Sequence, residues 1–246
     1  MFKEVRQLKI TQKIIDQIRA AILEGKLKPG DKLPSEKEMG ELFQVSKQTL
    51  RESMRALEQI GMIDVRKGIG GGAFIVEVGI EVTKESLANY LYFKNMTIQD
   101  LTEFRKLIEP YAARKAARGI DLEDLKKLKT FNESARKYLR KGDIQAARKV
   151  EFDFHRFLAK LTRNPLIVLM LDFAEGLLDD FKQLVEPDIE FFAAVLESHD
   201  RIYNAIAGGQ GQRAYDEMKA HVEAVGEQLT QLQGSANLRE LYAQPA

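Results

Sequence analysis

The chain has 246 residues, 44% of them hydrophobic, and its 38 Lys and Arg nearly balance 37 Asp and Glu, for a formal net charge of +1. This length allows one large domain or two medium ones, each with a core of its own. No apolar run reaches the ~18 residues of a membrane-spanning helix, and the N-terminus MFKEVRQLKI has no signal-peptide apolar region, so a cytoplasmic protein is expected. With no cysteine, disulfide and thiol chemistry are excluded and any metal site must use His, Asp and Glu.

From Leu8 to Glu24, Ile14, Ile15, Ile18, Ala21 and Ile22 recur on one face of an amphipathic supporting helix that Gly25 closes. Pro29-Gly30 turns the chain. Ser35 and Glu38 stand at capping-box spacing and open a short helix with Met39, Leu42 and Phe43 on its buried face. Ser46 caps a second helix in which Leu50, Met54, Leu57 and Ile60 face inward and Lys47, Gln48, Arg51 and Arg55 face outward, until Gly61 stops it. Two short helices joined by a tight turn, the second offering basic and amide side chains near its N-terminus, suit a reader of the DNA major groove. Met62–Arg66 and Ala73–Val76 then read as two strands joined by a loop with Gly68, Gly70, Gly71 and Gly72, a hairpin wing whose Lys67 suits a phosphate or minor-groove contact.

Gly68-x-Gly70-x-x-Ala73 mimics a dinucleotide fingerprint, but such glycines must open a helix, and here they lead into the strand pattern Phe74–Val78. Bulk charge does not argue for DNA, because residues 1–78 carry 14 Lys and Arg against 11 Asp and Glu. Placement does, with Lys37, Lys47, Arg51, Arg55, Arg66 and Lys67 gathered in the helices and wing. One short helix and one wing contact too few base pairs for selective binding alone, so a homodimer on a palindromic operator is expected.

Residues 79–82 read as a linker between the DNA-reading domain, residues 1–78, and a second domain, residues 83–232. Seven helical segments follow, approximately 83–94, 98–118, 122–140, 144–162, 165–185, 189–207 and 210–232, with Thr97, Asp121 and Asp143 as caps. Their short connections make successive helices antiparallel neighbours. The expected fold is mostly α: an N-terminal winged helix-turn-helix of three helices and a β-hairpin, then an antiparallel all-α bundle of about seven helices. Residues 233–246 read as a tail without a strong pattern.

All three histidines, His155, His199 and His221, fall in these helices. Glu151 lies one turn before His155 on the same face, while His199 and His221 sit among apolar positions. Each could be a core histidine satisfied by a hydrogen bond, or together with a carboxylate they could bind Zn, Ni or a similar divalent transition metal. Asp153 is the alternative carboxylate. Arg105 lies within the apolar stripe Leu101, Phe104, Ile108 and Ala112. It either pairs with Glu109 one turn on or presents its fork to a ligand carboxylate.

The segment Ile14–Val76, with GKLKPGDKLPSE at 25–36 and VSKQTLRE at 45–52, resembles the winged helix-turn-helix of GntR-family bacterial transcription regulators. The resemblance implies DNA contacts from Lys37, Lys47, Arg51, and Lys67 with Gly68, and Gln48 and Thr49 of the same motif complete the candidate set. Lysine stands at 37 and 47 where arginine is commoner, and a point charge cannot fork to guanine, so these two are expected to grip phosphate. Phe154-His155, then Asn164, His199 and His221 resemble the FCD ligand-binding domain of FadR-type members, so that the resemblance covers about residues 10 to 232. It implies Glu151, His155, His199 and His221 as metal ligands, with Glu where Asp is usual, Arg105 as anchor for a small organic acid effector, and repression as the commoner output. A metal-only sensor and a metalloenzyme are the competing classes. Arg105 argues against the first, and the second leaves the helix-turn-helix unexplained.

Overall fold

A computed structural model describes residues 6–77 and 81–233. Two of the four residues of the expected linker, Gly79 and Ile80, and the tail from Gly234 onward lie outside them. The chain divides between Leu87 and Ala88.

In the first unit, α1 (Arg6–Leu23) is followed by α2 (Glu36–Phe43) and α3 (Lys47–Gln59). Ser35 and Glu38 form the expected capping box, and the Ser46 hydroxyl accepts from the Thr49 N–H. Gln44 turns left-handed at φ 53° to end α2. Ile14, Ile15 and Ile18 of α1 pack on Leu50, Met54 and Leu57 of α3, with Met39, Leu33, Ile63 and Ile75 completing this core. Leu42 does not join it: it is 72% exposed. α2 is only two turns long and seats on its neighbour through Met39, with Phe43 one turn on, which leaves Leu42 on the outer flank. Ile60, also expected inside, is the residue that caps α3 and is 43% exposed.

The wing pairs β1 (Ile63–Arg66) with β2 (Gly72–Ile75) antiparallel, Ile63 opposite Ile75 and Arg66 opposite Gly72. The loop before α2 runs along β2, with Lys32 bridging to Phe74 and Leu33 N–H donating to Ala73 O at 2.8 Å. At the wing tip a Cβ on Gly71 would lie 2.4 Å from the Arg66 carbonyl oxygen, so the turn accepts only glycine.

α4 (Glu81–Phe93) contains the division between units. It is followed by α5 (Ile98–Ala117), α6 (Leu122–Arg140), α7 (Ile144–Leu161), α8 (Pro165–Val185), α9 (Ile189–Ala207) and α10 (Gly211–Gln233). These are the seven helices expected. Thr97, Asp121 and Asp143 cap α5, α6 and α7, and Asn164 and Asp188 cap α8 and α9. The bundle has two apolar clusters. One gathers Leu101, Phe152, Leu178, Phe181, Phe191, Phe192 and Leu196; the other gathers Ala113, Leu128, Phe154, Leu158, Ile202, Met218 and Val222. No helix among the described residues is long and apolar enough to cross a membrane.

Candidate metal centre and nucleic-acid interface

The buried face of α5 carries Leu101, Arg105, Glu109, Ala112 and Ala116 at helical spacing, so its centre is ionic. α7 contributes Glu151 and His155, α9 His199 and α10 His221, and all four are at most 2% exposed. Their ligating atoms lie within 4.8 Å of one another. Asp153 is exposed, so Glu151 is the carboxylate inside.

Each imidazole is held by its outer nitrogen. His155 Nδ1 donates to Glu109 Oε2 at 2.5 Å, His199 Nδ1 to Asn132 Oδ1 at 3.3 Å, and His221 Nδ1 lies 2.7 Å from Ser198 Oγ. In a neutral imidazole an N–H at Nδ1 leaves a lone pair at Nε2, so with all three rings neutral these contacts turn three Nε2 lone pairs to one locus, whereas a charged His155 carries a second N–H there. The Nε2 atoms of His155 and His199 are 3.0 Å apart. His221 Nε2 and Glu151 Oε1 are buried without a hydrogen-bond partner, the latter 3.6 Å from His155 Nε2. Unpaired buried polar atoms are costly, and here two of them face the same small volume as two imidazole nitrogens. Three imidazole nitrogens and one carboxylate oxygen fit a borderline transition metal such as Zn or Ni.

An outer layer of charge surrounds this locus. Arg105 Nε donates to Glu109 Oε1 at 2.6 Å, and its Nη2 lies 3.2 Å from Glu175 Oε1, close enough for an ion pair although the N–H is not aligned for a hydrogen bond. The Glu109 pairing foreseen for Arg105 is therefore present, fully buried and joined by Glu175. Neither terminal nitrogen of Arg105 has a hydrogen-bond partner. Lys182 Nζ donates to Glu151 Oε2 at 2.7 Å.

This environment separates the three histidines. Burial opposes a charge on His155, but Glu109 and Glu175 outweigh it and push its pKa up to about 10. Burial, then the charge of His155, holds His199 well below the ordinary histidine value, and burial with His199 and His155 does the same for His221. Burial also works against ionisation of Glu151, yet Lys182 and the histidines keep its carboxyl well below the usual range. Burial raises Glu175.

Glu109, Glu175, Lys182, Asn132 and Ser198 did not stand out in the sequence. Only Glu109 had a signal, its place one turn after Arg105.

On the first unit, Lys37, Lys47, Gln48, Arg51, Lys67 and Gly68 are exposed. Arg51 Nε contacts Glu36 Oε2 at 3.1 Å, an exposed pair of the kind that contributes little and exchanges readily. Thr49 is placed differently from the rest of the set: it is buried, and its hydroxyl lies 2.9 Å from Ser46 Oγ within the α3 cap. Lys32 Nζ donates to Gly70 O at 3.3 Å, and Arg66 lies over the Phe74 ring at 4.5 Å, so cationic side chains also brace the wing.

The chain matches two family models, "Bacterial regulatory proteins, gntR family" over residues 10–73 and "FCD domain" over residues 100–224. It is 31% identical to the HTH-type transcriptional regulator LutR of Bacillus subtilis, over 85% of this chain and 96% of that one. It is 30% identical to the Exu regulon transcriptional regulator of Escherichia coli, over 67% of this chain and 61% of that one. Among solved structures it is similar to a Streptococcus agalactiae GntR protein, with a TM-score of 0.63 and 25% identity over 89% of this chain and 99% of that one. The exposed basic helix and wing followed by a helical bundle agree with these matches, and the chain belongs to the GntR family of DNA-binding transcriptional regulators, with an FCD domain as its C-terminal part.

Proposed function

We propose that this regulator is a ligand-responsive repressor, acting as a homodimer on a palindromic operator, whose FCD domain holds one divalent transition-metal ion through Glu151, His155, His199 and His221 and binds a small organic acid beside it. The observation that carries the reading is the shared aim of the three Nε2 atoms, each fixed by a partner on Nδ1, with His221 Nε2 and Glu151 Oε1 otherwise unpaired. Without a metal the hydrogen bond between His155 Nε2 and His199 Nε2, 3.0 Å long, holds two of the rings together but leaves His221 Nε2 and Glu151 Oε1 unpaired. A bound divalent ion would supply a Lewis-acidic centre for an oxygen donor. With His155 neutral, the buried shell holds Glu109, Glu151 and Glu175 against Arg105 and Lys182, one carboxylate in excess. Adding two positive charges reverses that sign and favours an anion, and the Nη atoms of Arg105 lack hydrogen-bond partners with which to meet it.

On the DNA side, Lys37, Lys47, Gln48, Arg51, Lys67 and Gly68 form the contact set, with Thr49 acting through the cap of α3. The test is metal analysis of protein purified without chelator, together with selection of bound DNA from a random pool. About one equivalent of metal per chain is expected, lost in a His199→Ala/His221→Ala double variant, and a palindrome is expected from the pool. Metal-free wild type whose melting temperature ignores added zinc would make the histidines ordinary core residues.

A further inference from the structure

Lys182 has no task in the metal reading, yet it is fully buried beside the centre. It stands in the last turn of α8, its Nζ 2.7 Å from Glu151 Oε2, and its ammonium lies over Phe152 at 4.5 Å, Phe192 at 5.6 Å and Phe191 at 5.8 Å. The rings favour a cation and crowd its surroundings. A buried ammonium is costly wherever apolar packing would serve, and methionine would fill the same stem volume among these phenylalanines. The charge therefore has a use.

We propose that Lys182 is a positioning residue that makes Glu151 a one-oxygen ligand. Lys182 occupies Oε2, so only Oε1, which has no hydrogen-bond partner and lies 3.6 Å from His155 Nε2, faces the locus. Without Lys182 both oxygens of Glu151 are free to chelate. Holding the carboxylate to one oxygen keeps a coordination position for an outside donor, and the ammonium's charge moderates affinity for the ion. The residue thus trades metal affinity for an open position. The inference rests on the metal reading, and it extends that reading from which residues bind to what keeps room for an effector.

The test uses full-length protein, cobalt(II) as the metal and azide as the anionic probe. Wild type should bind one cobalt per chain, and azide should alter its visible spectrum. Lys182→Met should bind cobalt about ten-fold more tightly, opposite in sign to the loss of about 10–100-fold usual when a partner of a metal ligand is removed, and its spectrum should no longer respond to azide. Lys182→Gln keeps an N–H for Oε2 without the charge, so it should gain cobalt affinity and still respond to azide; it also serves if the methionine variant does not fold. A wild type that takes up no cobalt overturns the metal reading itself. A wild type that binds cobalt while both variants bind it equally or more weakly, with the same azide response, overturns the role of Lys182 and leaves the metal reading standing.

Discussion

The pKa values of His155 and of its two neighbours are shifted in opposite directions, so a stability optimum is expected of the metal-free protein. His199 and His221 are held neutral in the fold well below their ordinary value. Below about pH 6.5 the unfolded chain protonates them and the fold does not, so stability falls as pH drops. His155 stays charged in the fold up to about 10. Its contribution is complete below about 6.5 and is lost as pH rises from there through the folded value. In chelator, melting temperature plotted against pH should peak near pH 6.5, and His155→Gln should flatten the alkaline limb. An alkaline limb of unchanged slope in that variant would remove His155 as its source. The histidines were legible in the sequence because each is rare and lies on an apolar face. Asn132 and Glu175 were not, because they meet the site from other helices, and Ser198, although it precedes His199, was not because its partner is His221 on the next helix; none interrupts a pattern strongly enough to be noticed.

On the reading helix, Arg51→Ala should weaken specific operator binding by about 1–3 kcal/mol if its fork meets a base edge. Glu36→Gln should do the reverse, since it releases Arg51 from its exposed pair and removes a carboxylate from the basic face. Anisotropy over a salt series separates base reading from phosphate contact, because Lys47→Ala is expected to weaken all sequences alike and to lower the salt slope by about one. Identical operator binding by wild type and Arg51→Ala would remove α3 as the reader.

At the scale of elements, the contact that joins α10 to α5 has a defined tolerance. A Cβ added to Gly226 would lie 2.3 Å from Thr102 Oγ1, 2.6 Å from its Cγ2 and 3.0 Å from its Cβ. Alanine improves helix propensity by up to about 1 kcal/mol over glycine, but overpacking costs about 1–3 kcal/mol, and the Thr102 hydroxyl is tied to the Ile98 carbonyl at 2.7 Å. Gly226→Ala should therefore lower stability in denaturant titration. Adding Thr102→Ala, which removes Oγ1 and Cγ2, should restore most of the loss, and the cycle should show a coupling that distant pairs lack. Simple additivity would mean the helices shift freely. The boundaries of α5 to α10 were legible because caps and glycines punctuate a strong helical period. Leu42 was misjudged because a two-turn helix has too little period to fix which flank meets its neighbour. The ionic centre of α5 was only half legible: Arg105 broke an apolar stripe one turn before Glu109, but its burial and its pairing with Glu175 depend on helices packed from elsewhere.

For the whole molecule, the question is whether the FCD centre and the DNA-reading unit share an equilibrium. α4 spans Glu81–Phe93, and Ala88 and Leu91 in its second half pack against the bundle core of the FCD domain. A ligand of that domain regulates only if it binds one state of the molecule better than another, since equal affinity shifts nothing. Linkage then requires reciprocity: the factor by which such a ligand changes operator affinity, typically about 5–150-fold, is the factor by which operator changes the ligand's. The prediction is a closed cycle of four affinities, zinc binding with and without operator, and operator binding with and without zinc, measured by calorimetry and anisotropy on the same preparation. His199→Ala/His221→Ala should bind operator with one affinity whether zinc is present or absent. Should wild-type zinc affinity be the same with operator as without it, zinc has no regulatory part, and any regulatory signal must come from the proposed organic acid alone.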